Sequence, residues 1–198
     1  MAKKTGPNKL NLKQTHDIFI EIGREEFVKN GFAATSTNVI VKRAEMARGS
    51  LYYHFGDKQG LFEAIYTDLM VKTDLALQMT MHKFEDPLEQ LKHGVHHFLQ
   101  LCSDKDFRKI ILIEGLSTIP YQKRIAIIEK NIIGTLREII SACYQQGHFK
   151  NYEQNILIFF LYGLVSETGR SFEYEKEAGV SLELASTNIF RLLDQMAV

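Results

Sequence analysis

The sequence predicts an all-α chain of about nine helices: an N-terminal three-helix head followed by a larger helical bundle. Three observations lead there. Apolar residues recur at intervals of three and four along almost the whole chain, and no stretch alternates with the period of two that marks a half-buried strand. The breaks are short and carry helix-stop and helix-start residues. Charge is also unevenly divided. Residues 1–58 hold ten Lys and Arg against six Asp and Glu, a net of +4, while residues 59–198 hold 14 against 18, a net of −4. A basic head on an acidic body suits a nucleic-acid contact at the N-terminal end.

Each helix has a local reason. Phe19, Gly23 and Phe27, with Ile20 beside them, share one face of a first helix over about 12–30, and Asn30-Gly31 stops it. Thr35, Ser36 and Thr37 offer hydroxyl caps for a short second helix ending near Ala44. A third covers about 48–54. Gly56-Asp57 breaks the chain, and Asp57 caps a long fourth helix from Lys58 to about His82, with Leu61, Ile65 and Leu69 along one side. Pro87 suits the first turn of a fifth helix, striped by Leu88, Leu91, Val95, Phe98 and Cys102. Another follows over about 105–117. Pro120 opens a long helix that Gly147 ends, and helices over about 152–174 and 181–196 complete the chain, the last capped by Ser181. The domain boundary is expected between 57 and 58, giving a head of 1–57 and a body of 58–198.

Composition narrows the class. A chain of 198 residues that is 45% apolar and 24% charged has enough apolar side chain for a core and is not disordered. Cys102 and Cys143 are too far apart for a paired motif and are expected to be reduced core thiols. The longest apolar run, 156–165, is half of the roughly 20 residues that a membrane helix needs. No apolar run follows Met1, so a cytoplasmic protein without a signal peptide or membrane contact is expected. No serine-nucleophile elbow, phosphate loop, metalloprotease motif or dinucleotide glycine fingerprint is present, so an enzyme is not expected.

The informative segment is Arg48-Gly49-Ser50-Leu51-Tyr52-Tyr53-His54-Phe55. Two short helices joined by a tight turn after a longer one make a DNA-binding unit when the third helix exposes groups that reach phosphates and base edges. Leu51 and Phe55, four apart, anchor such a helix inward. Arg48, Ser50, Tyr53 and His54 then face outward, and Gly49 permits close backbone approach.

The run Gly31-Phe32-(x2)-Thr35-Ser36-(x3)-Ile40-(x3)-Ala44-(x4)-Gly49-Ser50-Leu51-Tyr52-Tyr53-His54-Phe55-(x2)-Lys58-(x2)-Leu61 resembles the signature of the tetracycline-repressor (TetR) family. The resemblance is specific over the first 60 or so residues; beyond them it rests on length and helix layout. There are departures. Glu45 stands at the turn glycine and must carry the backbone strain of that position, Ala47 replaces the capping serine, Val41 replaces a small alanine, and Glu26 stands where an apolar residue is common.

The resemblance implies an operator-DNA binder that acts as a homodimer. It assigns phosphate contacts to Tyr53, His54, Lys58, Ser36 and Thr37, and makes Arg48, Ser50 and Tyr52 candidates for base contact, Tyr52 being equally compatible with burial. Lys42 and Arg43 would flank the DNA backbone. Dimerisation would use the last two helices, about 152–174 and 181–196, where Ile156–Leu161 are apolar on several faces, Gly163 allows close approach, and Ile189, Leu192, Leu193 and Met196 extend an apolar face. The body would hold an unidentified small-molecule effector, with Glu114, Tyr162 and Glu167 as polar candidates and Phe98, Cys102 and Phe159 as walls; each also fits ordinary packing or a paired carboxylate. Ligand binding would act through the fourth helix to change the separation of the two third helices.

No cofactor or metal is expected. His93 and His97 could share a metal on one face, with His82 and His96 nearby, but no clear third ligand accompanies them, and histidines on the exposed side fit as well. Two other functions stay open: an activator on the same scaffold, and a dimeric helical ligand-binding protein that does not bind DNA.

Overall fold

The computed structural model describes residues 9–174 and 179–197, and every regular element among them is a helix. In chain order these are α1 (Lys9–Ala34), α2 (Thr37–Arg43), α3 (Arg48–Phe55), α4 (Lys58–Met81), α5 (Pro87–Ser103), α6 (105–118), α7 (121–145), α8 (Gln154–Ser171) and α9 (Leu182–Met196). A 3-10 turn, Phe172–Tyr174, continues α8. The all-α architecture with an N-terminal three-helix unit is as the periodicity predicts. Two compact units meet at Asp68/Leu69, inside α4 and later than the expected boundary of 57/58.

The helix ends follow local chemistry. Gly31, at φ 77°, breaks the regular helix of α1 directly after Asn30. The Ser36 hydroxyl accepts from the Asn38 N–H at 3.2 Å and opens α2. Asp86 caps α5 ahead of Pro87, accepting from Glu89 N–H at 2.9 Å. Glu153 and Ser181 cap α8 and α9 by accepting from Ile156 and Leu184 N–H. Each cap satisfies an amide that the first turn leaves unbonded.

In the first unit Phe19, Phe27, Ile40, Leu51, Leu61, Phe62 and Ile65 are fully buried. Gly23 lets α1 lie close to α4, since a Cβ there would stand 3.0 Å from side-chain atoms of both Leu61 and Ile65. In the second unit α5 is central, packing on α7, α8 and α9. Two features go beyond what periodicity predicts. Both α6 and α7 contain a π-helical segment, Lys109–Glu114 and Glu129–Ile133. In α7 the buried Asn131 side chain donates to Ile127 C=O at 2.6 Å, serving a carbonyl where the helix widens. Arg108, 3% exposed, donates to Cys102 C=O at 2.5 Å and pairs with Glu173 at 3.1 Å, closing the end of α5.

Cys102 and Cys143 are buried, and burial pushes both thiols up to about 12. Alkylation by iodoacetamide at pH 8 is therefore expected to leave both unmodified in the folded protein and to label both in denaturant. Rapid native labelling of either, read by intact mass, would contradict this packing.

Candidate nucleic-acid interface and ligand cavity

The third helix is anchored by two side chains. Leu51 is fully buried, and Phe55 packs edge-on to Phe19 at 6.0 Å and against His16 at 5.0 Å. The opposite side is open. Arg48 and Gly49 are exposed, Ser50 is half-buried, and Tyr53 is 73% exposed. A Cβ built on Gly49 would meet nothing within 4 Å, so the fold of this chain does not require glycine there.

Neighbours hold most of the polar groups in set positions. Arg48 donates to the Tyr52 hydroxyl at 3.1 Å, with its guanidinium 5.3 Å from the ring centre. That bond, and a second with Thr37, hold the Tyr52 phenol below its ordinary value. Tyr52 is thus only partly exposed, at 38%, and acts as a buttress for Arg48. His54 is half-buried beside Tyr53 at 5.3 Å and His16 at 6.1 Å; burial, then the charge of His16, lower its pKa. His16 is a neighbour that the sequence pattern does not single out, because the signature begins after it.

Lys58 has a structural engagement. Its ammonium donates to the carbonyls of Phe32 at 2.7 Å, Thr35 at 2.9 Å and Ala33 at 3.3 Å, over the Phe32 ring at 4.4 Å. Its positive charge stands at the start of α4, with the ammonium protons directed at these acceptors. Arg43 likewise spans Glu25 at 2.5 Å and Glu26 at 2.8 Å. Glu26, whose carboxylate is buried, also accepts from Asn30 at 2.9 Å, which explains how a carboxylate occupies a usually apolar position. Glu45 adopts φ 53° in the turn, and Ala47 supplies no side-chain cap to α3.

In the second unit α4, α5, α7 and α8 surround a cavity with about 520 Å³ of empty space, its mouth included. Its lining, mostly apolar with a few polar groups, has the composition of a small-molecule site. Leu77, Met81, Val95, Phe98, Ile132 and Leu136 form much of an apolar wall, and Tyr162, Ser166 and Thr135 supply polar atoms. Burial raises the Tyr162 phenol, opposed by a hydrogen bond with Ser166 and by the charge of Arg124. Thr135 donates to Asp74 at 2.6 Å and accepts from Gln78 at 3.1 Å.

Of the six expected ligand residues, Phe98 and Tyr162 line this cavity and four do not. Cys102 lies behind the wall, where a Cβ on Gly169 would come within 2.6 Å of its Sγ. Glu114 belongs to the π segment of α6. Phe159 is 52% exposed on the outer side of α8, and Glu167 is exposed and pairs with Arg170. The histidines also diverge. His93 stacks on Phe84 at 3.7 Å, His96 meets Ser186 at 2.9 Å, and His97 meets Thr80 at 2.5 Å. Among the described residues no three His, Cys, Asp or Glu side chains gather as a metal site requires, and no helix is long and apolar enough to cross a membrane.

An apolar face remains on α8, where Ile156, Phe159 and Phe160 are 70%, 52% and 51% exposed and a Cβ on Gly163 would meet nothing within 4 Å. The expected apolar face of α9 is mostly absorbed within its own unit: Ile189, Leu193 and Met196 are buried, and Leu184 is the exposed apolar side chain.

Sequence comparison joins both units to one family. The family model described as bacterial regulatory proteins, tetR family, matches residues 19–65. The tetracyclin repressor-like C-terminal domain matches 88–196, more than half of the chain. The chain belongs to the TetR family. It is accordingly a ligand-responsive, DNA-binding transcriptional regulator. TetR-family relatives include the Transposon Tn10 TetC protein of Escherichia coli, 26% identical over 153 residues that cover 77% of each chain. The probable acrEF/envCD operon repressor of Escherichia coli (strain K12) is 29% identical over 163 residues, covering 76% of this chain and 70% of the repressor. The transcriptional regulator FadR from Bacillus subtilis, solved in complex with stearoyl-CoA, shares the TetR fold with a TM-score of 0.78 at 20% identity, covering 90% of this chain and 97% of that one.

Two departures in the turn are testable as stability losses. Glu45→Gly removes a side chain from the left-handed region, and Ala47→Ser restores a cap. Each is expected to raise folding stability by up to about 1 kcal/mol. Urea unfolding would show this; a lowered midpoint in either variant would refute the assignment of strain or of the missing cap.

Proposed function

We propose that the chain is a repressor that binds a palindromic operator as a homodimer and leaves it when a small molecule occupies the cavity. In this reading α3 enters the major groove and the protein works in the cytoplasm, where the operator is. Arg48 and Ser50 face base edges, with Tyr52 bracing Arg48. Tyr53, His54, Ser36 and Thr37 donate to phosphates, and Lys58 contributes charge while it holds the scaffold. The observation that carries the reading is Gly49. A helical glycine with open space where its Cβ would be lowers helix stability and serves no contact within the chain. It fits a surface on which DNA comes close to the helix backbone.

The exposed face of α8 supports the homodimer. Ile156, Phe159, Phe160 and Gly163 recur at positions i, i+3, i+4 and i+7, and a symmetric copy would cover that stripe with its own. Contact from α9 would be mainly polar around Leu184. The acrEF/envCD relative is a probable operon repressor, which supports repression, and a fold relative solved with a bound ligand supports a small-molecule effector. Leu77 and Met81 of α4 lie in the cavity wall, so an effector that favours another position of α4 would favour the DNA-incompetent form.

Selection of bound duplexes from a random pool tests the DNA assignment. A palindromic winner is expected, lost with Tyr53→Ala; the affinity should fall steeply with salt. Gly49→Ala separates interface from scaffold. It should keep or raise the melting temperature while weakening operator binding about tenfold or more. Equal loss of folding and binding, or no loss of binding, would remove Gly49 from the interface.

For the dimer, Phe160→Glu is expected to give a folded monomer by sedimentation and to abolish binding to the full palindrome. A variant that stays dimeric would place the interface elsewhere.

A further inference from the structure

One cation of α7, the helix that supplies Ile132 to the cavity wall, pairs with no carboxylate among the described residues. Arg124 lies in the opening turns of α7, ahead of the buried Ile128 and of Ile132, which lines the cavity. Its Nε is buried without a hydrogen-bond partner, and no other buried side-chain nitrogen or oxygen among the described residues is left so. The guanidinium rests 5.6 Å from the centre of the Tyr121 ring, and its charge reaches the Tyr162 phenol in the cavity wall. A buried guanidinium nitrogen without an acceptor is unfavourable, and folded proteins rarely leave one so.

The rest of the cavity constrains what could complete it. The walls are aliphatic and aromatic, and they offer an apolar body dispersion contacts and little else. Thr135 is already held by Asp74 and Gln78. Tyr162 is bonded to Ser166. A phenol hydroxyl donates one hydrogen bond and can accept others. Donors thus lie at the Tyr162 end and apolar surface elsewhere. A cationic ligand would meet the charge of Arg124; a neutral acceptor could pair with Nε but would leave the charge uncompensated, whereas an ionised acceptor does both.

We propose that the effector is a hydrophobic carboxylate, with its apolar body in the cavity and its head accepting from Arg124 and the Tyr162 hydroxyl. This inference rests on the reading of the cavity as the effector site. An ionised acceptor on a guanidinium makes a stronger bond than a neutral one, so the head group sets both orientation and selectivity.

The test is calorimetric titration of the full-length protein with decanoate, 1-decanol and decylammonium, below their aggregation limits. Decanoate is expected to bind at least about tenfold more tightly than decanol, with decylammonium weakest. Arg124→Gln should bring decanoate to the level of decanol without changing decanol, and Arg124→Lys should recover part of the difference. Thermal melts check that both variants fold. Equal binding of decanoate and decanol, equal loss of both in Arg124→Gln, preference for decylammonium, or no decanoate binding at about 1 mM overturns the proposal. A Val165→Phe variant, which fills the cavity, tells the two readings apart. If decanol binds, releases operator and is lost in Val165→Phe with no dependence on Arg124, the head-group inference fails and the effector site stands. If Val165→Phe binds every probe as the parent does, the cavity reading itself fails.

Discussion

The carbonyls left unbonded at the C-terminal end of α1 converge on one ammonium group, and the arrangement of the first unit depends on that convergence. Lys58 reaches the oxygens of Phe32, Ala33 and Thr35 across the chain that lies between α1 and α4. A cation is favoured there because the end of a helix presents unpaired carbonyls and the negative end of its dipole. The Phe32 ring beneath the ammonium belongs to a cluster with Phe27 and Phe62. One side chain therefore ties the break at Gly31 to the first turn of α4. The two short helices are held between those fixed ends. Gly60 adds the second constraint: a Cβ there would stand 1.9 Å from Phe55 C=O, so α4 can start so close to the end of α3 only without a side chain.

The second unit solves a different problem, a void kept open beside a packed core. Leu99, Cys102, Ile140, Cys143, Ile158 and Leu193 are fully or almost fully buried, and the cavity lies among helices that also build that core. α7 takes part in both. Its π segment includes Ile132 in the cavity wall and Asn131, whose side chain restores a hydrogen bond where the helix widens. A wider turn displaces the side chains that follow it, so an element with this device need not fill every space it faces. The buried amide keeps the backbone satisfied while it does so.

Helix positions are legible in the sequence because helix punctuation is local. Asp57, Asp86-Pro87, Gly147 and Ser181 act on neighbours within a few residues, and their chemistry survives without knowledge of the fold. The anchoring of α3 is legible for the same reason, since Leu51 and Phe55 need only a helical period. Inward and outward faces of an apolar helix are not. Leu161 and Phe159 lie two residues apart in one apolar run, yet one is buried and the other half exposed. Nothing within α8 says which face meets its own chain. Tyr162 is identifiable as the polar break in that run, while Ser166 and Thr135 resemble any helical hydroxyl. Lys58 shows the opposite limit. Its spacing marks it as a cation of the DNA-binding motif, but its partners are carbonyls more than twenty residues earlier, beyond the reach of any local pattern.

The departures in the head acquire a common meaning from these constraints. α3 is eight residues long, contains a glycine, follows a strained Glu45 and lacks a cap at Ala47. Each feature lowers the intrinsic stability of a helix that would be marginal alone at that length. The order of α3 must then come from contacts made by the rest of its unit: Leu51 in the core, Phe55 on Phe19 and His16, and the turn fixed by Arg43 on Glu25 and Glu26. Those contacts act at the buried side and at the two ends. They leave the outward backbone of α3 unobstructed, which side-chain devices such as a larger residue at Gly49 would not do. The same weakness explains the placement of the buried carboxylate at Glu26. An apolar residue there would pack, but it would not orient Arg43, and the turn entering α3 would lose the ionic contact that offsets its strain.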